Sequence, residues 1–478
     1  MAGLEPQSVW KIFENITQIP RPSKGEEEIR RWIKGWAKKH DISFKEDTVG
    51  NILLRKEAAT DCEGYPTLIF QAHMDMVCQK TEEAKIDPAR EPLKIKIVDG
   101  YVTAEGTTLG ADNGIGVAYA LAAFLLDNHG PLEAILTVDE ETGMTGALEM
   151  EKGFFSGKYL LNLDSEELGT ITIGSAGGGD TEYHLPLTIK KRENWKAIKI
   201  EVKNLKGGHS GIHIDSPHLN AIKTVVNGIL SLKDNAEFLI SSINGGSVHN
   251  AIPVNAECIL LVPAERKKEA LAVLEKWREK VLEDNRENEP EMEIVVSQTD
   301  ESKGLTEEQT DALLSLLNEI PHGPLSYSNE MEGLVQTSNN LATVETCEET
   351  VDIALSSRSS VNKELKQLQE HLADLGEPYG ANVEQPQIYP GWEPDPNSPF
   401  LLMVKGSYET ILKKEVSLKA MHAGLECGMF LQLNQELQVV SIGPDIKDVH
   451  TPDERIFIKS VGIVWKVLRD VIENMGTM

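Results

Sequence analysis

The run Thr67-Leu68-Ile69-Phe70 reads as a buried strand, and it leads straight into Gln71-Ala72-His73-Met74-Asp75-Met76-Val77. His73 and Asp75 are two apart, so on extended backbone their side chains point to the same side. An imidazole and a carboxylate at the carboxyl end of a strand stand where open α/β sheets place their sites. Such a sheet needs neighbouring strands and helices between them, and the chain supplies both. Residues 51–54, 133–138 and 159–163 read as further strands, and residues 95–104 as a hairpin turning at Asp99-Gly100. The stretch Gly106-Thr107-Thr108-Leu109-Gly110-Ala111-Asp112-Asn113-Gly114-Ile115-Gly116 opens a small-residue helix that runs to Leu126. Residues 7–40 read as two helices, the second carrying Ile29, Trp32, Ile33 and Trp36 at helical spacing as a core face. Strands alternating with helices indicate an α/β sheet.

At 478 residues the chain exceeds one ordinary domain. Ser175-Ala176-Gly177-Gly178-Gly179-Asp180 reads as a linker. From about 182 to 385 the strands are longer and alternate (198–202, 258–262, 351–355), with long charged helices such as 265–286 between them. Tyr389-Pro390-Gly391-Trp392-Glu393-Pro394-Asp395-Pro396 reads as a second linker. The last segment returns to α/β character and ends in a helix over 456–473. The expectation is a discontinuous α/β domain, 1–181 plus 386–478, interrupted by an α+β domain, 182–385. A weak repeat runs through the insertion. Asn250 leads through the strand 258–262 to a helix near Glu265, and Asn340 leads through the strand 351–355 to a helix near Val361.

Charge narrows the function. Lys plus Arg total 47 against 76 Asp plus Glu, a net charge of −29, which repels phosphate backbones and excludes nucleic acid as a partner. Met1-Ala2-Gly3-Leu4-Glu5-Pro6 has no basic start and no apolar segment after it, and the longest apolar run, 117–126, is too short to span a bilayer. The five cysteines are scattered and form no Cys-x-x-Cys. That usage points to a reducing cytoplasm, without a disulfide framework or a thiolate zinc site.

Acidic and imidazole groups gather at strand ends and helix starts: His73, Asp75, Asp112, Glu140, Glu141, Asp164 and, in the last segment, His450. Carboxylates brought together raise one another's pKa, a conflict that two divalent cations remove. With His73, Asp112, Glu141, Asp164 and His450 as ligands, the mixed donors suit zinc, with cobalt or manganese as alternatives. Asp112, opening a helix, has two oxygens to bridge both ions. Asp75 is placed to hold the far nitrogen of His73. Adjacent residues at a strand end point apart, so one of Glu140 and Glu141 can bind metal while the other moves a proton. A metal-independent serine hydrolase is disfavoured, since no Gly-x-Ser-x-Gly elbow occurs.

These stretches, together with Glu140-Glu141-Thr142-Gly143-Met144, Leu163-Asp164-Ser165-Glu166, Lys206-Gly207-Gly208-His209-Ser210-Gly211, Asn250-Ala251-Ile252-Pro253, His422-Ala423-Gly424-Leu425-Glu426-Cys427-Gly428 and His450-Thr451-Pro452-Asp453-Glu454, resemble the M20 metallopeptidase family. The Thr-Thr-Leu-Gly-Ala-Asp-Asn and His-Ala-Gly-Leu-Glu-Cys forms favour its aminoacyl-histidine dipeptidase branch. The resemblance implies a zinc-exopeptidase-like catalytic domain with an inserted lid, hydrolysing dipeptides, Xaa-His and broader. It implies that His73, Asp112 and Asp164 hold one ion, and that Asp112, Glu141 and His450 hold the other. Asp75 would orient His73, Glu140 would be general base and then general acid, and the Asp112-Asn113 peptide would be cis. In the lid, His209 would stabilise the oxyanion, and Asn250 and Arg358 would hold the substrate carboxylate, a bidentate guanidinium suiting that group. His422 and Glu426 would line the pocket, Glu426 facing the substrate amine. His249 stands where the branch carries Arg, and His213 and His218 take no role. The lid is about twice the length usual in the family's dimeric members; with the weak repeat, that implies two lobes in one chain, the second standing in for a partner's lid and His209 acting in cis. The chain would be a monomer or a homodimer. A tripeptide aminopeptidase or N-acyl amino acid deacylase would use the same metal centre, and a non-catalytic peptide-binding protein is the rival of another class.

Overall fold

The computed structural model describes residues 1, 3–386 and 388–478; Ala2 and Gln387 lie outside the description. The chain forms two units. The first is Met1–Ser175, Trp392–Ala420 and Leu425–Met478, and the second is Ala176–Gly391 with Met421–Gly424.

The first unit begins with α1 (Gln7–Ile16), which buries Val9, Trp10, Ile12, Phe13 and Ile16. Helix α2 (Glu27–Lys39) buries Ile29, Ile33 and Ala37, whereas Trp32 and Trp36 are only half-buried. The indoles flank the apolar stripe instead of forming it, and Trp36 packs on the His40 ring. Next come β1 (Ser43–Glu46), β2 (Ile52–Lys56), β3 (Leu68–His73), the hairpin β4 (Ile95–Val98) and β5 (Tyr101–Ala104), α3 (Ala111–Ala123) and β6 (Leu132–Thr137). Two short turns, α4 (Glu140–Gly143) and α5 (Thr145–Leu148), precede β7 (Tyr159–Asn162) and β8 (Thr170–Ser175). Every residue of β3 and β6 is buried, as the middle of a sheet covered on both faces requires. Helix α3 is built of Ala, Gly and apolar residues on all sides and is almost wholly buried.

The second unit opens with β9 (Gly177–Pro186), β10 (Lys190–Lys191), β11 (Trp195–Lys203), β12 (Gly208–His209), α6 (Ala221–Leu230), β13 (Leu239–Gly245), β14 (Ala251–Ile252), β15 (Ala256–Pro263) and α7 (Lys267–Asp284). It continues with β16 (Glu293–Thr299), β17 (Lys303–Gly304), α8 (Glu307–Glu319), β18 (Gly323–Tyr327), β19 (Val335–Thr346), β20 (Thr350–Ser359), α9 (Asn362–Gly376), β21 (Asn382–Glu384) and β22 (Ile388–Tyr389). Its large sheet has the order β16-β11-β15-β13-β19-β20-β9-β21. Outward from the β13–β19 pair, the order reads alike on both sides. On one side β15 leads through α7 to β16, and on the other β20 leads through α9 to β21. Alternating burial along β11 and the first half of β15 turns one face toward α6 and α7, where Ile198, Ile200, Leu260, Val225, Ile229 and Leu274 share a core. Asn220 caps α6, its Oδ1 accepting from the amides of Ile222 and Lys223.

The glycines of the expected 175–180 linker lie in strand. Thr170–Ser175 is β8 and Gly177–Pro186 is β9. Glycine is needed there because a Cβ at Gly177 would overlap the backbone of Tyr389 and Gly391, and one at Gly178 would strike the Tyr389 ring. Close approach, not looseness, explains the composition.

The chain then completes the first unit with α10 (Pro399–Leu412), β23 (Ser417–Met421), α11 (Cys427–Leu433), β24 (Gln438–Ser441), β25 (Ile446–Lys447), β26 (Arg455–Phe457) and α12 (Ile458–Asn474). The finished sheet has the order β1-β2-β6-β3-β7-β24-β8-β23, with β3 parallel to β6 and β7, and β24 parallel to β7. A strand from after the insertion thus sits between two from before it. A smaller sheet, β25-β26-β5-β4, carries the segment that follows His450. Among the described residues no helix is long and apolar enough to cross a membrane.

Candidate metal centre

The donors collect at the carboxyl ends of the central strands. β3 ends at His73, the chain bends at Met74, and Asp75 lies just past the strand instead of on it. The pair still forms, with Asp75 Oδ1 3.2 Å from His73 Nδ1. The other ring nitrogen, Nε2, lies 3.1 Å from Asp112 Oδ1 and 3.3 Å from Asp164 Oδ1. The second oxygen of Asp112 lies 3.1 Å from His450 Nε2, which is also 3.0 Å from Glu141 Oε2. Two groups result, His73-Asp112-Asp164 and Asp112-Glu141-His450, each with its donor atoms within 4.8 Å of one another and both sharing Asp112. The Asp112-Asn113 peptide bond is cis. His450 adopts φ 62°, a strained value for a non-glycine residue of the kind that clusters at functional sites.

Asp75 does more than hold His73. Its Oδ1 also accepts from the Glu140 amide at 3.1 Å, and its Oδ2 accepts from Ser23 Oγ at 2.7 Å and from the Glu141 amide at 3.2 Å. One carboxylate thereby ties the end of β3 to the α4 turn. Asn113 Nδ2 donates to Asp164 Oδ1. Asn162, at the end of β7, accepts from the Asp164 amide at 3.1 Å.

The electrostatics favour cations. Burial alone would lower the His73 imidazolium, but Asp164, Asp112 and Asp75 outweigh it and hold the pKa well above the ordinary value. Asp112 and Glu141 push His450 up to about 11. Burial would raise Asp75, yet the His73 ring, Ser23 and the Glu140 amide hold it at about 2. Glu140 goes the other way: burial, with Asp164, Glu426 and Glu141 nearby, pushes its carboxyl well up against the pull of His73. Glu141 Oε1 is buried without a hydrogen-bond partner. Imidazole nitrogens, clustered carboxylates and an orphaned buried oxygen fit a pair of divalent ions with nitrogen and oxygen ligands.

Glu426 lies in a polar network below the strand ends, not on an open wall. It is 1% exposed, and its Oε2 accepts from Gln71 Nε2 at 2.6 Å and Thr137 Oγ1 at 2.8 Å, while Oε1 has no partner. Burial pushes its carboxyl up to about 8.

The second unit gathers another set. His209, in the short β12–β14 pair opposite Ala251, accepts at Nδ1 from the amides of Gly211 and Ile212, both at 3.1 Å, so its ring proton sits on Nε2. Burial, Arg358, His213 and His249 lower its pKa to about 4, leaving a neutral donor. Arg358 is buried, with Nη1 3.1 Å from Tyr389 Oη and Nη2 3.4 Å from Ser210 Oγ; its Nε has no partner, and no ion pair of the described residues includes it. His422 Nε2 lies 2.7 Å from Ser338 Oγ, its Nδ1 is buried and unpartnered, and burial with Arg358 nearby lowers its pKa to about 3. Gly211 sits between the His422 carbonyl and Arg358, leaving no room for a Cβ. Asn250 is exposed, and its carbonyl accepts from the Ser210 amide at 2.8 Å. His249 pairs with Asp180 at 3.4 Å, and His213 Nδ1 accepts from the His209 amide at 3.0 Å.

Arg21 and Ser23 lie outside the sequence motifs, and Glu454 closes the His450-Thr451-Pro452-Asp453-Glu454 stretch without a role of its own there. Arg21 is wholly buried in the loop after α1, and Glu454 accepts hydrogen bonds from four consecutive amides, Leu109 to Asp112. The one available signal was glycine at 110 and 114, where a Cβ would meet Arg21 Nη2 at 2.5 and 2.6 Å.

The model of peptidase family M20/M25/M40 matches residues 69–474. Over 479 residues the chain is 36% identical to the cytosol non-specific dipeptidase of Escherichia coli strain K12, covering 99% of each chain. It superposes on the aminoacylhistidine dipeptidase of Vibrio alginolyticus with a TM-score of 0.92 at 34% identity, covering 99% of this chain and 97% of that one. The aminopeptidase PepT of Bacillus cereus matches with a TM-score of 0.59 at 17% identity over 99% of both chains, a likeness of fold alone.

Proposed function

The chain belongs to peptidase family M20/M25/M40, and on that premise we propose that it is a metal-dependent dipeptidase that hydrolyses the peptide bond of dipeptides at a pair of divalent cations. The observation that carries this reading is the sharing of Asp112 by two complete donor groups. His73, Asp112 and Asp164 hold one ion; Asp112, Glu141 and His450 hold the other. Zinc is the ion we favour for this mix of imidazole and carboxylate. Bound there, two such ions acidify water and polarise a carbonyl.

The residues supply the rest. Glu140 takes the proton from the attacking water and returns it to the leaving amine. Asp75 fixes the tautomer and orientation of His73. His209 is the neutral Nε2–H donor for the developing oxyanion. Arg358, a buried cation with no described ion pair, receives the substrate carboxylate together with Asn250, and His422 lines the pocket beside it. That contact selects dipeptides, because a longer chain has no carboxylate at that reach. We place the protein in the cytoplasm, on the free state of its five cysteines.

The test is hydrolysis of Ala-His, β-Ala-His, Gly-Leu, Ala-Ala-Ala and N-acetyl-Ala after EDTA treatment and after return of Zn2+, Co2+ or Mn2+. Metal-restored turnover confined to dipeptides is expected. Turnover of the tripeptide or the acyl substrate alone would overturn the pocket assignment and keep the metal site.

A further inference from the structure

Asp112 must aim its two oxygens at different partners, Oδ1 at His73 and Oδ2 at His450, each 3.1 Å away. A small rotation of its backbone would move both oxygens off their partners. Two side chains with no place among the donors govern that backbone. Glu454 is 2% exposed. Its Oε2 accepts from the amides of Leu109 at 2.8 Å and Gly110 at 2.9 Å, and its Oε1 from those of Ala111 at 2.7 Å and Asp112 at 3.3 Å. Arg21 donates from Nη1 to the carbonyls of Met74 at 2.9 Å and Asp75 at 2.5 Å, and from Nη2 to the carbonyl of Gly110.

We propose that Glu454 is a positioning residue for the bridging ligand, setting the Asp112 backbone so that both metal sites form together, with Arg21 locking the same loop to the His73–Asp75 segment. Four converging amides leave a concentrated positive potential that a carboxylate satisfies and an amide side chain cannot, since its NH2 would face other donors. Glu454 is itself anchored, its amide donating to Thr451 O at 3.1 Å and its carbonyl accepting from Thr103 Oγ1 at 2.8 Å. The segment that presents His450 therefore also clamps the loop that presents Asp112. The inference rests on the two-ion reading above.

The experiment is zinc binding by calorimetry on the full chain, stripped with chelator, for wild type, Glu454→Gln, Glu454→Asp and Val102→Ala. Val102 is buried in β5 opposite Ile456 and belongs to neither proposed donor group, so its truncation reports what general loosening of the sheet that carries Glu454 does to zinc binding. In Glu454→Gln both ions should weaken together by about 10–100-fold, the range typical of lost outer-shell support, with a near-native circular dichroism spectrum. Val102→Ala should melt lower and bind zinc as wild type does. Wild-type affinity in Glu454→Gln overturns the proposal, as does weakening of one ion only. Where Glu454→Gln does not fold, the same criteria apply to Glu454→Asp; failure of both to fold overturns it in favour of a purely structural role. A wild-type chain that does not take up two ions refutes the underlying two-ion reading instead.

Discussion

Glu140 and Glu141 are neighbours in sequence with opposite surroundings. Glu141 Oε2 meets His450, whereas the Glu140 carboxyl is buried among negative neighbours and pushed well up. Cations at the two donor groups would draw that value back down, leaving a base able to take and return a proton. Glu140→Gln is expected to lower kcat by about 10²–10⁴-fold while keeping two bound ions, read by turnover and by metal analysis of the same sample. Asp75→Asn should weaken metal binding by about 10–100-fold, since its oxygens orient His73 and hold the α4 turn. The histidines of the second unit carry a pH signature. His422 titrates near 6.5 when unfolded and at about 3 in the fold, because burial and Arg358 disfavour its charged form. As the pH falls the unfolded chain takes the proton first, so the stability from a neutral His422 is complete above 6.5. It is lost between 6.5 and about 3, by roughly 1.4 kcal/mol per pH unit. Urea unfolding of His422→Gln at pH 7, 5 and 4 should show a shallower decline than wild type; parallel declines would refute the assignment.

At the scale of elements, strand ends proved more legible than joints. The apolar runs that became β3, β6 and β7 stand out because buried parallel strands are apolar on both faces, and the polar residues that follow them mark the sheet's carboxyl edge. The stretch around 175–180 misleads because glycine serves flexibility and close packing alike, and only the packed partner distinguishes them. At Gly177 that partner is the 389–391 backbone, which cannot move aside. Gly177→Ala is therefore expected to destabilise the protein by about 1–3 kcal/mol, measured by chemical denaturation, with no change in metal affinity. Asn220→Ala should cost about 1 kcal/mol, the usual value of a lost helix cap.

For the molecule as a whole, the proposed ligands all belong to the first unit, although His450 comes from beyond the insertion. Metal binding is accordingly linked to the stability of that unit alone. Free zinc at about 100 times Kd should add about 2.7 kcal/mol per site. Chelation should lower the calorimetric transition of the first unit and leave that of the second in place. A single transition that shifts as one would show that the units unfold together. The net charge of −29 is a property of the whole surface and bears on partners more than on fold.

The sequence by itself determined which residues could be donors and which strand ends would carry them. That information is local: an apolar run sets a strand, the residue after it sits at the edge, and spacing by two or by one decides which side chains share a side. Only the tertiary structure decided that Glu454 reaches back more than 300 residues to four amides of one loop, that Asp75 ties the end of β3 to the amides of Glu140 and Glu141, and that Arg358 is buried with its Nε unpartnered. Those pairings are hydrogen bonds and desolvated charges between segments far apart in the chain. Their geometry exists only once the sheet has brought the segments together, and no short spacing in the sequence records it.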